Sequence, residues 1–243
     1  MNEGVQSDPF GRALRDHHDG TQTGPLRQRD GQSVRDHPIE SLYFDPFTAT
    51  SPAGHWLESR LSGPLLDLGA GAGRHTLYFQ ESFETVALEM SEHLVETMRD
   101  RGVRDVRTGD MFALTDQFEA DRFSSVLAWG TQLGLAKSMA GVRRFFEDLT
   151  VLTRSDGTVI VDGYDPTVEE TTQLLGYRGD PTPGLAFRVL HFEYEGDVGQ
   201  TLLFRLFSPN RLREAVEDTQ WDVTDVHSPE HTAPGHFCIA LSR

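Results

Sequence analysis

Short apolar runs alternate with helical patterns between residues 64 and 164. Five of these runs predict β-strands, since each is a short apolar block that ends in a turn. Helical segments lie between them, and the clearest has apolar residues at positions 142, 145, 146, 149 and 152. Such alternation builds a parallel sheet with helices on both faces, so the pattern predicts a Rossmann-like, doubly wound α/β domain. The predicted strands are PLLDLG, TVALEM, VRDVRTGD, RFSSVLAWG and GTVIVDGY.

The pattern changes after residue 164. Two long strand-like runs, LAFRVLHFEYEG and QTLLFRLFS, flank a short Asp/Gly turn and predict an antiparallel hairpin inserted over residues 184–208. SPNRLREAVEDTQ then predicts a helix with Ser208 as its N-cap, and WDVTDVHS predicts a strand. The last run, HFCIALSR, is expected to be an antiparallel final strand, which would complete a mostly parallel, seven-stranded sheet.

The first fifty residues have a different character. They are polar and rich in turns, with one short predicted helix in PFGRALRDHH and a predicted hairpin around Asp30 and Gly31. Ser51 and Pro52 then open a helix as N-cap and first-turn proline. The sequence therefore predicts an N-terminal cap segment, residues 1–50, and an α/β domain, residues 51–243. The cap segment and the inserted hairpin are expected to cover a ligand cleft.

The charge balance narrows the possible partners. Lysine and arginine total 22 against 38 acids, for a net charge of −16, and Lys137 is the single lysine. This composition is typical of halophilic proteins, and the acidity disfavours nucleic acid as a partner. There is no apolar run of 18 residues and no signal pattern at the N-terminus, so we expect a cytoplasmic protein without a membrane partner. The single cysteine, Cys238, fits a reducing compartment.

The stretch PLLDLGAGAGRHTLYF, residues 64–79, joins a predicted strand to a predicted helix through three glycines. Such a turn binds nucleotides in α/β proteins. A triphosphate loop would need Gly-Lys-Ser/Thr, which is absent here. A dinucleotide fingerprint would need a third glycine at position 74, which is Arg74. Glu89, however, lies 20 residues beyond Gly69, as a ribose-binding carboxylate requires. The turn therefore suits a nucleoside better than a pyrophosphate.

Four segments in order resemble the motifs of the class I S-adenosylmethionine-dependent methyltransferases of the small-molecule type. These are LLDLGAGAGR, the acid that ends VALEM, the Asp in TGDM, and the strand that ends in VLAWG. The resemblance runs from about residue 55 to 163, with a looser match toward the C-terminus. It implies S-adenosylmethionine as cofactor, transfer of a methyl group to a small-molecule acceptor, and a set of cofactor-binding residues. That set is Asp67, Gly69, Ala70, Gly71, Gly73, Glu89, Met90, Asp110, Met111, Trp129 and Gly130.

The resemblance also implies roles within this set. The turn from Gly69 to Gly73 would lie against the methionine and ribose, with Asp67 near the amino group. Glu89 would accept hydrogen bonds from both ribose hydroxyls. Asp110 would accept one from the adenine amino group, with Met111 against the ring. Trp129 and Gly130 would line the cavity around the methionine part of the cofactor.

No catalytic residue is assigned from the sequence, because no nucleophile–base pair is recognisable. The ten histidines show no metal-ligand spacing, so no metal is expected. Among them His191, in the predicted hairpin, has the best claim to a function. Asp162 and Tyr164 lie at the end of the fifth strand, where sheet ligands bind.

Three alternative functions remain at this point. An RNA or protein methyltransferase would share the cofactor site, although WGTQLG replaces the Asp/Asn-Pro-Pro-aromatic stretch that amino-methylating enzymes of nucleic acids carry. An NAD(P)-dependent oxidoreductase rests on Gly69, Gly71 and Glu89 alone. A non-catalytic nucleoside-binding module is the third. The sequence gives neither the acceptor nor the oligomeric state.

Overall fold

The computed structural model describes residues 7–228 and 234–243. The first six residues of the predicted cap segment and His231 lie outside this part of the chain. The strands of the described residues are β1 (Arg27–Asp30), β2 (Ser33–Asp36), β3 (Leu65–Leu68), β4 (Thr85–Glu89), β5 (Val106–Thr108), β6 (Phe123–Ala128), β7 (Thr153–Tyr164), β8 (Tyr177–Gly179), β9 (Leu185–Tyr194), β10 (Asp197–Val198), β11 (Leu202–Phe207), β12 (Asp222–His227) and β13 (His236–Ser242).

The helices agree with the predicted positions. The α-helices are α1 (Pro9–Asp19), α2 (Pro52–Glu58), α3 (Arg74–Phe79), α4 (Glu92–Asp100), α5 (Met139–Leu152) and α6 (Pro209–Val216). Shorter turns of 3₁₀ helix span Leu114–Asp116, Gln132–Ala136 and Glu169–Gln173, and a π-helical turn spans Glu40–Phe44. Among the described residues, no helix combines the length and the apolar character that crossing a membrane requires.

Seven strands form the main sheet in the order β12-β13-β7-β6-β3-β4-β5. β3 pairs in parallel with β4 and β6, and β13 pairs antiparallel with β7 and β12. The predicted doubly wound sheet with an antiparallel last strand is therefore confirmed. Its parallel strands end at one edge, which places the ends of β3, β4, β5 and β6 side by side.

Both faces of this sheet are buried, as continuous apolar strands require. In β3, Leu66 packs on one face with Phe145 and Phe146 of α5, whereas Leu65 packs on the other with Trp56 and Phe79. Side chains alternate between the faces because the period of a strand is two. Burial of each such side chain contributes about 1.5–3 kcal/mol, so the sheet edge rests on a rigid scaffold.

A second, antiparallel sheet covers that edge. β9 is its central strand and pairs with β1, β8, β10 and β11, while β2 pairs with β1. The N-terminal hairpin and the inserted hairpin are thus one layer, joined by the pairing of Gln28 with Phe192. The sequence predicted the two hairpins separately. The insert is also more extensive than a single hairpin, since β8 begins at Tyr177.

Helix α1 fastens the second sheet to the main domain. Asp8 caps this helix by accepting a hydrogen bond from the N–H of Gly11 (2.8 Å). Leu14 of α1 is buried in a cluster with Leu94 of α4 and Tyr194 of β9. The tyrosine hydroxyl also donates to Asp16, at 3.0 Å. These contacts hold the second sheet over the ends of the parallel strands.

Candidate functional site

The glycine turn follows β3 directly at the sheet edge. Gly69 and Gly71 have φ values of +62° and +60°, in the left-handed region that favours glycine. A side chain at Gly69 would collide with Gln132, and a Cβ on Gly71 would lie 3.5 Å from the ring of Tyr43. Glycine at these positions keeps the backbone open toward the space between the two sheets.

Glu89, at the end of β4, has a carboxylate that is held by backbone N–H groups. Its Oε2 accepts a hydrogen bond from Gly71 (3.0 Å), and its Oε1 accepts from Met90 (2.8 Å) and Ser91 (3.0 Å). Burial raises the pKa of Glu89, and these three donors oppose that rise. The hydrogen bonds fix the direction of the carboxylate, and Oε2, with a single donor, retains an open acceptor position.

Asp67 lies inside the fold at the end of β3. Thr76 of α3 donates its hydroxyl to Asp67 Oδ2 at 2.6 Å. Burial raises the pKa of this carboxyl to about 7, the hydrogen bond from Thr76 opposes the rise, and the charge of Glu89 adds to it. Near neutral pH, Asp67 therefore exists in both its protonated and its charged form.

Two further predicted groups flank the turn. Asp110, after β5, is exposed, and its carboxylate accepts from the N–H of Phe112 at 2.9 Å, beside buried Met111. At the end of β6, the indole of Trp129 lies 5.5 Å from the ring of His75. Gly130 follows with a φ of +89°, and the space where its Cβ would stand is open.

A cavity of about 1470 Å³ connects these groups. Ligand pockets usually measure about 300–1,000 Å³, so this cavity has room for a nucleoside and a second molecule. Gly73 does not line it: this glycine is the N-cap of α3, and a Cβ there would lie 2.9 Å from Val103. The other ten predicted residues do line it, namely Asp67, Gly69, Ala70, Gly71, Glu89, Met90, Asp110, Met111, Trp129 and Gly130.

The opposite wall of the cavity consists of residues that sequence reasoning missed. His37 and Tyr43 come from the cap segment and share a hydrogen bond of 2.8 Å between Nε2 and the phenol oxygen. Burial, followed by the charge of Arg188, lowers the pKa of His37 to about 4, so this ring is neutral. Arg188 and Phe192 reach the cavity from β9. The apolar–polar pattern contains no signal for His37 and Tyr43, because a π-helical turn and a loop place them.

His191 does not line the cavity. It lies three residues from Arg188, on the opposite face of β9, because side chains alternate along a strand. Its Nε2 is 3.2 Å from the carboxylate of Glu193, and its strand partner is Arg29. The residue that we singled out among the histidines is therefore part of the outer face of the second sheet.

Asp162 and Tyr164 both line the cavity at the end of β7. Asp162 Oδ1 accepts the N–H of Thr131 at 2.7 Å, and Oδ2 lies 2.8 Å from Nε2 of His236. Thr131 has a φ of +63°, which is uncommon for a residue other than glycine. Asp162 thus links the turn after β6 to β13 by hydrogen bonds and holds the cavity wall beside Trp129 in place.

No group of three or more His, Cys, Asp or Glu side chains is placed to hold a metal ion among residues 7–228 and 234–243.

No protein-family model matches the chain, and no curated protein matches it in sequence. Solved structures, in contrast, are similar to it in fold. A methyltransferase from Bacteroides fragilis, in complex with S-adenosyl-L-homocysteine, is 23% identical over 96% of this chain and 94% of its own, with a TM-score of 0.75. The CcbJ methyltransferase from Streptomyces caelestis is 16% identical over 77% of this chain and 92% of its own, with a TM-score of 0.59.

A third solved structure is an amino pentose methyltransferase from Micromonospora echinaspora, with S-adenosylmethionine bound. It is 18% identical over 74% of this chain and 82% of its own, with a TM-score of 0.53. The agreement extends over most of each chain at low sequence identity. The chain therefore has the fold of the class I S-adenosylmethionine-dependent methyltransferases.

Proposed function

We propose that this protein is an S-adenosylmethionine-dependent methyltransferase that acts on a small-molecule acceptor. One observation carries the choice of cofactor. The N–H of Gly71, in the middle of the glycine turn, donates to the carboxylate of Glu89. In a dinucleotide-binding fold the turn and the helix after it receive a pyrophosphate. Here a half-buried carboxylate lies against the turn, so a phosphate would meet negative charge, whereas the hydroxyl groups of a nucleoside would meet an acceptor.

The residues present suit such a cofactor. Glu89 Oε2 would accept a ribose hydroxyl, and Asp110 would accept from the adenine amino group, with Met90 and Met111 near the ring. Asp67 would lie toward the amino group of the methionine. Gly73 does not line the cavity and would support the turn through its packing against Val103. When bound, the cofactor supplies a sulfonium methyl group that is open to nucleophilic displacement.

The chain's own contribution to the reaction is positioning. Trp129 and Gly130 would wall the methionine end, and Asp162 would act as a positioning residue through its hydrogen bond to Thr131. The cap segment, residues 1–50, and the insert, residues 184–208, would close over the domain of residues 51–243 and exclude water. Holding nucleophile and methyl carbon in line can supply about 7–11 kcal/mol of the barrier.

The second sheet supports a small acceptor. β9 and the cap segment cover the cavity, so an acceptor has to fit between two layers of the same chain. The net charge of −16 also opposes a polyanionic substrate. One of the similar solved structures is named as an amino pentose methyltransferase.

Calorimetry tests the cofactor. S-adenosylhomocysteine and S-adenosylmethionine are expected to bind saturably, and NAD is not. Saturable NAD binding without any signal from the sulfur nucleosides would replace this proposal by the oxidoreductase alternative.

A labelled methyl group tests the acceptor. Incorporation from labelled S-adenosylmethionine is expected in a pool of small metabolites and not in total RNA or in a protein extract. Incorporation into either macromolecule alone would refute the small-molecule assignment, and binding of the cofactor without any transfer would favour the non-catalytic module.

A further inference from the structure

The arginines that line the cavity differ in how their charge is neutralised. Arg12 forms ion pairs with Asp197 and Glu195. Arg74 forms no ion pair with the described acids either, but the charge of Asp45 acts on it. Arg188 forms no ion pair with any acid of the described residues. It is thus the cavity cation whose charge these parts of the chain leave uncompensated, in a protein that carries 16 more acidic than basic side chains.

Hydrogen bonds to other described residues fix the orientation of the Arg188 guanidinium but use only some of its N–H donors. Its Nε donates to the carbonyl of Leu175 and one Nη donates to Gln28, both at 2.8 Å. Within residues 7–228 and 234–243, two of its five N–H donors are used in this way, which leaves three. Burial lowers the pKa of Arg188, the charge of Arg35 adds to this decrease, and Tyr164 and Tyr43 oppose it. A partly buried cation with fixed geometry and open donors is a binding site for an anion.

The position of Arg188 indicates which molecule it faces. It projects from β9, in the covering sheet, and its charge acts on Tyr164 at the end of β7. In the main sheet, β7 lies two strands from β3, where the glycine turn begins. Phe192 is on the same face of β9, and Phe204 is opposite Arg188 in the pairing with β11; both rings line the cavity. The charge of Arg188 also acts on Tyr43, whose ring faces Gly71 of the glycine turn. Arg188 thus faces the part of the cavity between Tyr43 and the end of β7, among aromatic walls.

We propose that Arg188 binds a carboxylate group of the methyl acceptor, so that the acceptor is a small organic acid with an apolar body. This inference rests on the proposed function. The planar fork of the guanidinium matches a carboxylate, and one uncompensated charge matches a monoanion. The carboxylate of the cofactor's own amino-acid tail has the same chemistry, and the experiment has to separate the two sources.

The experiment measures the binding of benzoate and benzamide by calorimetry, with and without saturating S-adenosylhomocysteine. Benzoate is expected to bind the S-adenosylhomocysteine complex at least about tenfold more tightly than the neutral benzamide, because it adds a charge-assisted contact. Arg188→Gln should lose about tenfold or more in benzoate affinity, and Arg188→Lys, which keeps the charge without the fork, should lie between. S-adenosylhomocysteine affinity should stay within about twofold in both variants.

Arg178→Gln is the matched control. Arg178 belongs to the same sheet, on β8, but is exposed and pairs with Asp30, so its loss should leave benzoate binding unchanged. Melting temperatures identify variants that fail to fold, and the comparison of benzoate with benzamide on the unmodified protein needs no variant.

Three results would overturn the proposal. The first is equal affinity of benzoate for the wild type and for Arg188→Gln. The second is that benzoate does not bind the wild type. The third is a loss of S-adenosylhomocysteine affinity in Arg188→Gln while neither protein binds benzoate, which would mean that Arg188 binds the cofactor's carboxylate. An acceptor without a carboxylate in the labelled screen would overturn it as well. If S-adenosylhomocysteine does not bind the wild type at all, the proposed function fails, and the benzoate titration without it still reports on Arg188.

Discussion

Two neighbouring carboxyl groups at the sheet edge differ in what surrounds them. Glu89 accepts three backbone N–H groups, whereas Asp67 accepts the hydroxyl of Thr76. Backbone donors favour the charged form of a carboxyl, and burial favours the neutral one. Burial raises the pKa of both carboxyls, to about 7 for Asp67. The three backbone donors make Glu89 an acceptor of fixed direction.

Glu89→Gln is expected to weaken S-adenosylhomocysteine binding by about 1.5–3 kcal/mol, or roughly ten- to 150-fold in Kd, because a charged acceptor is lost. The glutamine NH₂ would also face backbone donors, so the free energy of unfolding should fall by about 1 kcal/mol. Calorimetry and urea unfolding measure the two effects. Glu92→Gln, an exposed residue at the cavity rim, is the control. Unchanged affinity in Glu89→Gln would remove Glu89 from the ligand site.

Asp67→Asn is expected to change how stability depends on pH. The pKa of Asp67 is about 7 in the folded protein, against an ordinary value of 3.8. Between about pH 4 and 7 the unfolded chain has lost this proton and the folded protein keeps it, so stability falls as the pH rises, and it falls no further above 7. Asparagine keeps an oxygen for Thr76 and cannot ionise. Without ligand, the variant should therefore gain stability relative to wild type across that window, as measured by urea unfolding at several pH values. A constant difference would contradict the raised pKa.

At the scale of elements, the pattern predicted most strands and helices, but not how the two hairpins pair. Leu65 and Leu66 belong to a continuous apolar run, which predicts a strand buried on both faces. Nothing local in Gln28 or Phe192 indicates that they pair across more than 160 residues, because strand pairing is a tertiary property. β8 and the π-helical turn are short and irregular, so neither has a periodic signal.

The side of the candidate site that belongs to the main sheet could be predicted from the sequence, because its residues lie at the ends of predicted strands. The glycine turn and Asp110 each follow a parallel strand and Glu89 ends one, and such strand ends meet at one edge by the geometry of the fold. The side of the cavity that the second sheet forms depends on which face of β9 is turned toward the cavity. Alternation alone separates Arg188 from His191, but the sequence does not say which face is turned inward.

The attachment of α1 gives a prediction at this scale. Asp8 caps α1 and also accepts the hydroxyl of Ser91, the residue that caps α4. Asp8→Ala should therefore cost about 0.5–2 kcal/mol of unfolding free energy. Asp8→Asn keeps a capping oxygen and should retain most of that stability. Urea unfolding of both variants checks this, and equal losses would mean that the charge of Asp8, rather than its cap, holds the helix.

At the scale of the whole molecule, charge is the dominant feature. Many arginines form surface ion pairs, for example Arg104 with Glu81 and Arg178 with Asp30. Exposed pairs of this kind contribute little each, about 0–1 kcal/mol, and they cannot neutralise 38 acids with 22 bases. The remaining acids repel one another, and folding brings them closer together than they are in the unfolded chain.

Salt should therefore stabilise this fold. From about 0.01 M to 1 M KCl the Debye length falls from about 30 Å to about 3 Å, which screens the repulsion among surface carboxylates. The melting temperature at pH 7 is expected to rise steeply over this range. The same titration near pH 5 is the control, because the isoelectric point is about 4.9 and little net repulsion is left to screen. If the melting temperature rises equally with salt at both pH values, the stabilisation comes from exclusion of ions from the protein surface. A flat curve at pH 7 would mean that the acidic, lysine-poor surface is not an adaptation to salt.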